Sequence, residues 1–285
     1  MDVLKMTFNL QRKYYEENIQ FDQISFNELV RIKHLQPKGW PDIVEDFKKY
    51  LGNEFCEPIK VTINNNIVGI GNSIFFKKSA WIAHVIVDKE YRNQGIGFKI
   101  VDYLLSNIKK RNIDCTLLIA TDLGEPVYKK AGFKAISDYT YLKRENKWID
   151  KEISKKIQAF TPEYYDQIMD LDVLISGEFR ESLLKKYLND CYIYTENQSV
   201  KGYYLPLLGE GAIFAADPIA GIELMKWKYS KTDRAVIPSE NKHGIEFLIN
   251  NGFVKTNSTG RRMIFGEHIN WKPECFFSRI GGNYG

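Results

Sequence analysis

Two glycines one residue apart, Gly95 and Gly97, stand between an apolar run and an amphipathic stretch, and that arrangement can hold an anion. The segment reads Val85-Ile86-Val87-Asp88-Lys89-Glu90-Tyr91-Arg92-Asn93-Gln94-Gly95-Ile96-Gly97-Phe98-Lys99. Glycine removes side chains where backbone must approach a ligand closely. The first-turn N–H groups of a helix lack intrahelical acceptors and sit at the positive end of its dipole, so a pyrophosphate fits there. A turn whose glycines serve only steric needs would read the same way, so the loop alone decides nothing.

The elements that must position this loop follow from periodicity and turn chemistry. Trp81–Val87 reads as a buried strand leading into the turn, and Gly97–Arg111 as a helix with apolar Ile100, Val101, Leu104, Leu105 and Ile108 on one face. Upstream, helical spacing covers Phe26–His34 and Asp42–Leu51, broken by Pro37-Lys38-Gly39-Trp40-Pro41. Strands are expected at Ile59–Ile63 and Ile67–Phe76 around the turn Asn64-Asn65-Asn66, and at Cys115–Ala120. A short helix, Glu125–Ala131, ends at Gly132.

In that context the sequence resembles the GNAT superfamily of acyl-CoA-dependent N-acyltransferases. Arg92-Asn93-Gln94-Gly95-Ile96-Gly97 matches its Arg/Gln-x-x-Gly-x-Gly/Ala signature, and Pro126-Val127-Tyr128-Lys129-Lys130-Ala131-Gly132-Phe133 is similar to its second hallmark. The resemblance implies acetyl-CoA as cosubstrate and no metal. It implies that backbone groups of Val85, Ile86 and Val87 pair with the pantetheine arm. It implies further that Asn93, Gln94, Gly95, Ile96, Gly97 and Phe98 cradle the pyrophosphate, with Arg92 contributing charge or backbone. Tyr128 is the implied general acid for the departing thiolate; the alternative is a core tyrosine. Amine attack on a thioester builds negative charge on oxygen and then sulfur, so donors are needed at both.

The base is open. His84 is the one titratable side chain on its strand, and simple alternation points it away from the side of Trp81 and Ala83 unless a bulge reverses the parity. Asp42, Glu45 and Asp46 are further candidates, and direct attack through ordered water needs none of them. A covalent route through Cys115 lacks a neighbouring histidine or helix N-terminus in sequence to activate the thiol.

The rest of the chain is expected to repeat this style. Strands are read near Cys191–Thr195, Gly202–Leu205, Ala212–Ala215 and Ala235–Ile237, and helices near Arg180–Leu188, Ile219–Tyr229 and Lys242–Asn250. Gly132-Phe133 recurs as Gly252-Phe253, 120 positions later. Phe179-Arg180, Asp217-Pro218, Pro238-Ser239-Glu240-Asn241, Arg262-Met263 and Gly266 resemble the divergent second domain of tandem GNAT proteins. There the glycine loop is missing, Asp217-Pro218 stands in its place, and Leu248 replaces the tyrosine. The expected fold is therefore mixed α/β in two tandem domains, 1–147 catalytic and 148–285 divergent and without CoA, with the charged stretch Lys143–Lys156 at their junction. The second domain would complete the acceptor pocket or stabilise the first, with Trp227, Trp271, Phe276, Phe277 and Tyr284 as wall candidates or core aromatics.

Composition bounds the partners. The net charge of +4 lies wholly in residues 1–150 and forms no basic stripe, which speaks against nucleic acid. Four scattered cysteines and four scattered histidines give no zinc spacing or disulfide framework, so a reducing cytoplasm is the default. Met1-Asp2-Val3-Leu4-Lys5 is not the start of a signal peptide, and no apolar run approaches a membrane span. The expected activity is acetyl transfer to a primary amine, of a small molecule before a peptide or protein lysine. The rivals are a non-catalytic acyl-CoA-binding module and an aminoacyl transferase using charged tRNA.

Overall fold

The computed structural model describes residues 18–146 and 151–285. The expected 147/148 boundary and the N-terminal pentapeptide lie outside the described residues. By contacts the chain divides into two compact units: residues 1–75, 80–113 and 127–132 form one, and 76–79, 114–126 and 133–285 the other.

The first unit is built on antiparallel strands β1 (Ile19–Gln23), β2 (Cys56–Ile63), β3 (Asn66–Phe75) and β4 (Ser79–Val87), in that order. Asn64 and Asn65, at φ of 50° and 64°, make the β2–β3 turn left-handed at both residues, as a tight hairpin requires. The segment Phe26–Leu35 is helical with 3-10 geometry. Its buried residues Leu29, Ile32 and Leu35 recur every three positions, the period that aligns side chains along a 3-10 helix. Helix α1 (Ile43–Leu51) buries Ile43, Phe47 and Tyr50 at the wider α spacing, and Asp42 Oδ1 caps it by accepting from Val44 N at 2.8 Å. Helix α2 (Ile96–Lys110) lies close on β3 because Gly69 and Gly71 leave room: a Cβ at either would come within 3.0 Å of Ile100 or Leu104 side chains. Helix α3 (Glu125–Lys130) is short and carries Tyr128 on its buried side.

The second unit holds β5 (Cys115–Ala120), the eleven-residue β6 (Lys134–Arg144) and the elements that follow. These are β7 (Ile157–Ala159), α4 (Tyr165–Ser176), α5 (Glu181–Leu184), β8 (Tyr192–Glu196), β9 (Ser199–Leu205) and β10 (Ala212–Ala215). After them come α6 (Pro218–Lys231), β11 (Arg234–Pro238), α7 (Lys242–Asn250), β12 (Phe253–Lys255), β13 (Arg261–Gly266) and β14 (Phe276–Ser278). One sheet runs β14-β10-β9-β8-β7. From β8 on, the order strand, strand, strand, helix, strand, helix, strand repeats that of β2 to β6.

The strands do not stay with their own halves of the chain. β13 is inserted between β5 and β6, with Met263 opposite Leu118 on one side and Ala135 on the other. The far half of β6 pairs in turn with β11 and β12. Lys143 and Arg144, expected at a junction, thus form the paired end of β6. β13 is also tied through its buried Arg262, whose guanidinium lies 4.1 Å over Trp271 and 3.7 Å from Glu178. Nearby in sequence, Arg180 and Asp172 form a fully buried pair that Tyr203 joins. Trp271, Phe276 and Phe277 are packing residues of this unit, and Trp227 lies tilted against Tyr192 with ring centroids 4.3 Å apart.

Candidate active site

The glycine turn has the geometry of an anion site. Asp88 Oδ1 accepts from Glu90 N at 3.0 Å and starts the turn, while Arg92 Nε donates back to the Val87 carbonyl at 3.1 Å and closes it onto the end of β4. The Arg92 side chain is therefore engaged in holding the loop. Asn93 and Gly95 both lie in the left-handed region, at φ of 62° and 84°, which turns the chain into α2. Gly95 is the N-cap of α2, no side chain caps that terminus, and its first turn carries no acid. Among the described residues, a Cβ built on Gly95 meets nothing within 4 Å, so there is open space at this N-cap. Gly97 is different: a Cβ there makes ordinary contacts with Val87 and Val127 at 3.7 and 3.9 Å. Val127, the neighbour of Tyr128, thus lies beside Gly97. The donor set fits a pyrophosphate: backbone N–H groups, a dipole end, no competing carboxylate and room.

The start of α6 shows the opposite arrangement. Asp217 Oδ1 accepts from Ile219 N and Ala220 N at 2.7 and 3.2 Å, and Pro218 has no N–H to give. The helix satisfies its own terminus.

Tyr128 is buried to 9% exposure, and burial pushes its phenol well above the ordinary tyrosine value. It stays protonated at neutral pH, as an acid must. Cys115 is pushed up to about 12, first by burial and then by the charge of Glu178, so its thiol is inert.

Strand register decides where His84 points. Ile70 faces Ile86 and Asn72 faces Ala83, so Gly71 alone stands opposite both His84 and Val85. This is a bulge, with His84 at φ 51°, and it breaks the alternation that simple strand parity assumes. His84 turns to α1, where Tyr50 and Asp46, one helical turn apart, meet its two ring nitrogens. Tyr50 Oη lies 2.8 Å from Nδ1 and Asp46 Oδ2 lies 3.3 Å from Nε2. Burial acts to raise the Asp46 carboxyl, but the hydrogen bond and charge of His84 outweigh it and hold Asp46 below its usual value. Phe47 and Trp40 contact the imidazole edge-on at 5.9 and 5.8 Å. Asp42, in contrast, is spent on capping α1. Sequence reasoning had no means to find Tyr50, which carries no motif; its spacing of four from Asp46 is the one available signal.

Among the described residues no group of three or more His, Cys, Asp or Glu could hold a metal, and no helix is long and apolar enough to cross a membrane.

Residues 33–150 match the model of the GNAT acetyltransferase domain. An uncharacterised N-acetyltransferase of Bacillus subtilis, YitH, is 26% identical over 233 residues, which is 76% of this chain and 81% of that protein. A provisionally assigned acetyltransferase of Pyrococcus horikoshii superposes with a TM-score of 0.79 at 19% identity, covering 94% of this chain and 96% of the other. A GCN5-related N-acetyltransferase of Sphaerobacter thermophilus gives 0.62 at 11% identity, covering 87% and 95%. The mixed α/β fold is shared with both structures.

Proposed function

For a chain whose residues 33–150 match the GNAT acetyltransferase domain, we propose transfer of an acetyl group from acetyl-CoA to a primary amine of a small molecule, by direct attack. The observation that carries this reading is the uncapped, glycine-headed N-terminus of α2 with open space before it. Its first-turn N–H groups, with the backbone of Asn93 to Phe98, take the pyrophosphate, and the backbone of Val85 to Val87 takes the pantetheine arm. Acetyl-CoA supplies the activated acyl carbon as a thioester.

The chain's own groups then manage the protons. In this reading Tyr50 Oη–H donates to His84 Nδ1 and His84 Nε2–H donates to the Asp46 carboxylate, so Asp46 and His84 act as one base. The carboxylate draws the acceptor ammonium and takes its proton. The carboxylic acid formed stays hydrogen-bonded to His84, which Tyr50 holds at its other nitrogen. The freed amine forms the N–C bond as the C–S bond breaks. Tyr128 gives its phenolic proton to the departing thiolate, and the second proton of the amine nitrogen restores the phenol.

The second unit supports a single cofactor site per chain. At α6 a carboxylate occupies the N–H groups that α2 leaves free, and buried Leu248 stands where α3 has Tyr128.

The test is calorimetric titration of acetyl-CoA followed by an amine screen. Wild type and Tyr128→Phe should bind about one acetyl-CoA per chain with similar affinity, and turnover should fall by about a hundredfold or more in the variant. Absence of acetyl-CoA binding to the folded wild type would sink the proposal.

A further inference from the structure

Four side chains surround the imidazole of His84 within its unit, and they differ sharply in what they show to solvent. Phe47 and Tyr50 are buried at 0% and 1%, and Asp46 keeps 18% of its side chain exposed. Trp40 retains 40% exposure with its indole edge-on to the imidazole at 5.8 Å. Trp40 thus presents an exposed aromatic surface beside the Asp46–His84 pair.

The loop that carries Trp40 is held in place. Gln36 Nε2 donates to the carbonyls of Pro37, Trp40 and Pro41 at 3.2, 3.2 and 3.0 Å, and Gln36 Oε1 accepts from Ile43 N at 3.0 Å. One amide side chain thus fastens the whole Pro37–Pro41 bend to the start of α1. A half-exposed tryptophan on a fixed loop is a preorganised surface, because little further ordering is needed when a ligand lies on it.

We propose that Trp40 is the acceptor-recognising wall of the site, that Gln36 is its positioning residue, and that the acceptor is a monoamine with a flat or apolar body next to the nitrogen. This rests on the assignment of Asp46 with His84 as the base. The surroundings favour that class over an amino sugar. Asp46 is the carboxylate that reaches the imidazole and pairs one ammonium there. The exposed neighbour is an indole and not a set of polar donors and acceptors, so an amino sugar would leave its hydroxyls unmatched. A ring laid on the indole, with its ammonium near Asp46, gains stacking and cation–π attraction together.

The experiment uses the full chain with saturating acetyl-CoA and three acceptors: 2-phenylethylamine, spermidine and glucosamine. Wild type should favour 2-phenylethylamine. Trp40→Ala should raise the KM for that amine by about tenfold, on the scale of an aromatic contact, with kcat and the KM for acetyl-CoA little changed. Trp40→Phe should recover most of the loss, and Gln36→Ala should raise the amine KM without affecting kcat. An unchanged KM in Trp40→Ala, or a wild-type preference for spermidine or glucosamine, overturns the proposal. Calorimetric titration of 2-phenylethylamine into wild type and Trp40→Ala separates this from the reaction itself. Trp40-dependent binding without turnover leaves the wall intact and refutes the transferase reading; no binding to wild type refutes the wall.

Discussion

The two helix starts, α2 and α6, make each other's control. Placing the α6 solution on α2, as Gly95→Asp, puts a carboxylate among N–H groups that are otherwise free. One unit charge facing another at 4 Å is worth about 1 kcal/mol in water and about 4 kcal/mol at the effective dielectric of a protein surface. Against a doubly charged pyrophosphate, even the solvated limit gives about 2 kcal/mol, which corresponds to roughly a thirtyfold weaker complex. The folded state should lose little. A non-glycine residue at φ 84° costs about 1–2 kcal/mol, aspartate tolerates that region better than most residues, and a new cap returns about 1 kcal/mol. The assay is calorimetry of acetyl-CoA at fixed ionic strength beside a thermal melt. Gly97→Ala serves as the reference, because its Cβ meets only Val87 and Val127 at ordinary distances. That variant should bind within a few-fold of wild type. A folded Gly95→Asp protein that binds acetyl-CoA as tightly as wild type would falsify the assignment of this terminus.

Further expectations concern the base, the second helix cap and acid stability. His84→Ala should lower kcat by about 10²–10⁴ while leaving acetyl-CoA affinity intact, and added imidazole should restore part of the rate. Asp217→Ala should cost about 1 kcal/mol in urea unfolding and create no second acetyl-CoA site in calorimetry. Glu28 is held at about 2, first by Lys60 and then by Ser25. Its folded value lies below its unfolded one, so its contribution is complete above about pH 4.5 and is lost as the pH falls toward 2. Glu28→Gln should therefore flatten the drop in stability between pH 5 and 2.5 by about 1 kcal/mol, after allowance for solvent screening, in urea melts across that range.

What the sequence made legible was local. The glycine loop, the Asn64-Asn65 turn and the helix end at Gly132 each depend on a few consecutive residues, and all three have the expected geometry. Helix α4 has no counterpart in the sequence reading, because its buried face includes Asp172 and Ser176 and so breaks the apolar period. The 3-10 helix reads as an α-helix until its spacing of three is compared with the buried set. The orientation of His84 depends on which residue of β3 stands opposite it, and register between strands is not written in either strand alone. The Gln36 clasp and the Asp46–Tyr50 pair are likewise tertiary, made from residues with no motif of their own. The insertion of β13 pairs residues more than a hundred positions apart, which no window of the sequence spans.

That insertion has a consequence for how the protein is made. Cys115 on β5 waits for Gly266, and Asp138 on β6 for Arg261, so the neighbouring edges of β5 and β6 lack this partner until β13 has left the ribosome. At about 5–20 residues per second the interval between synthesis of β6 and β13 is of the order of ten seconds. Throughout that time two open strand edges are exposed to other nascent chains. β13 is thus a folding checkpoint for β5 and β6, and a chain cut short between β6 and β13 carries a sheet with a gap in it.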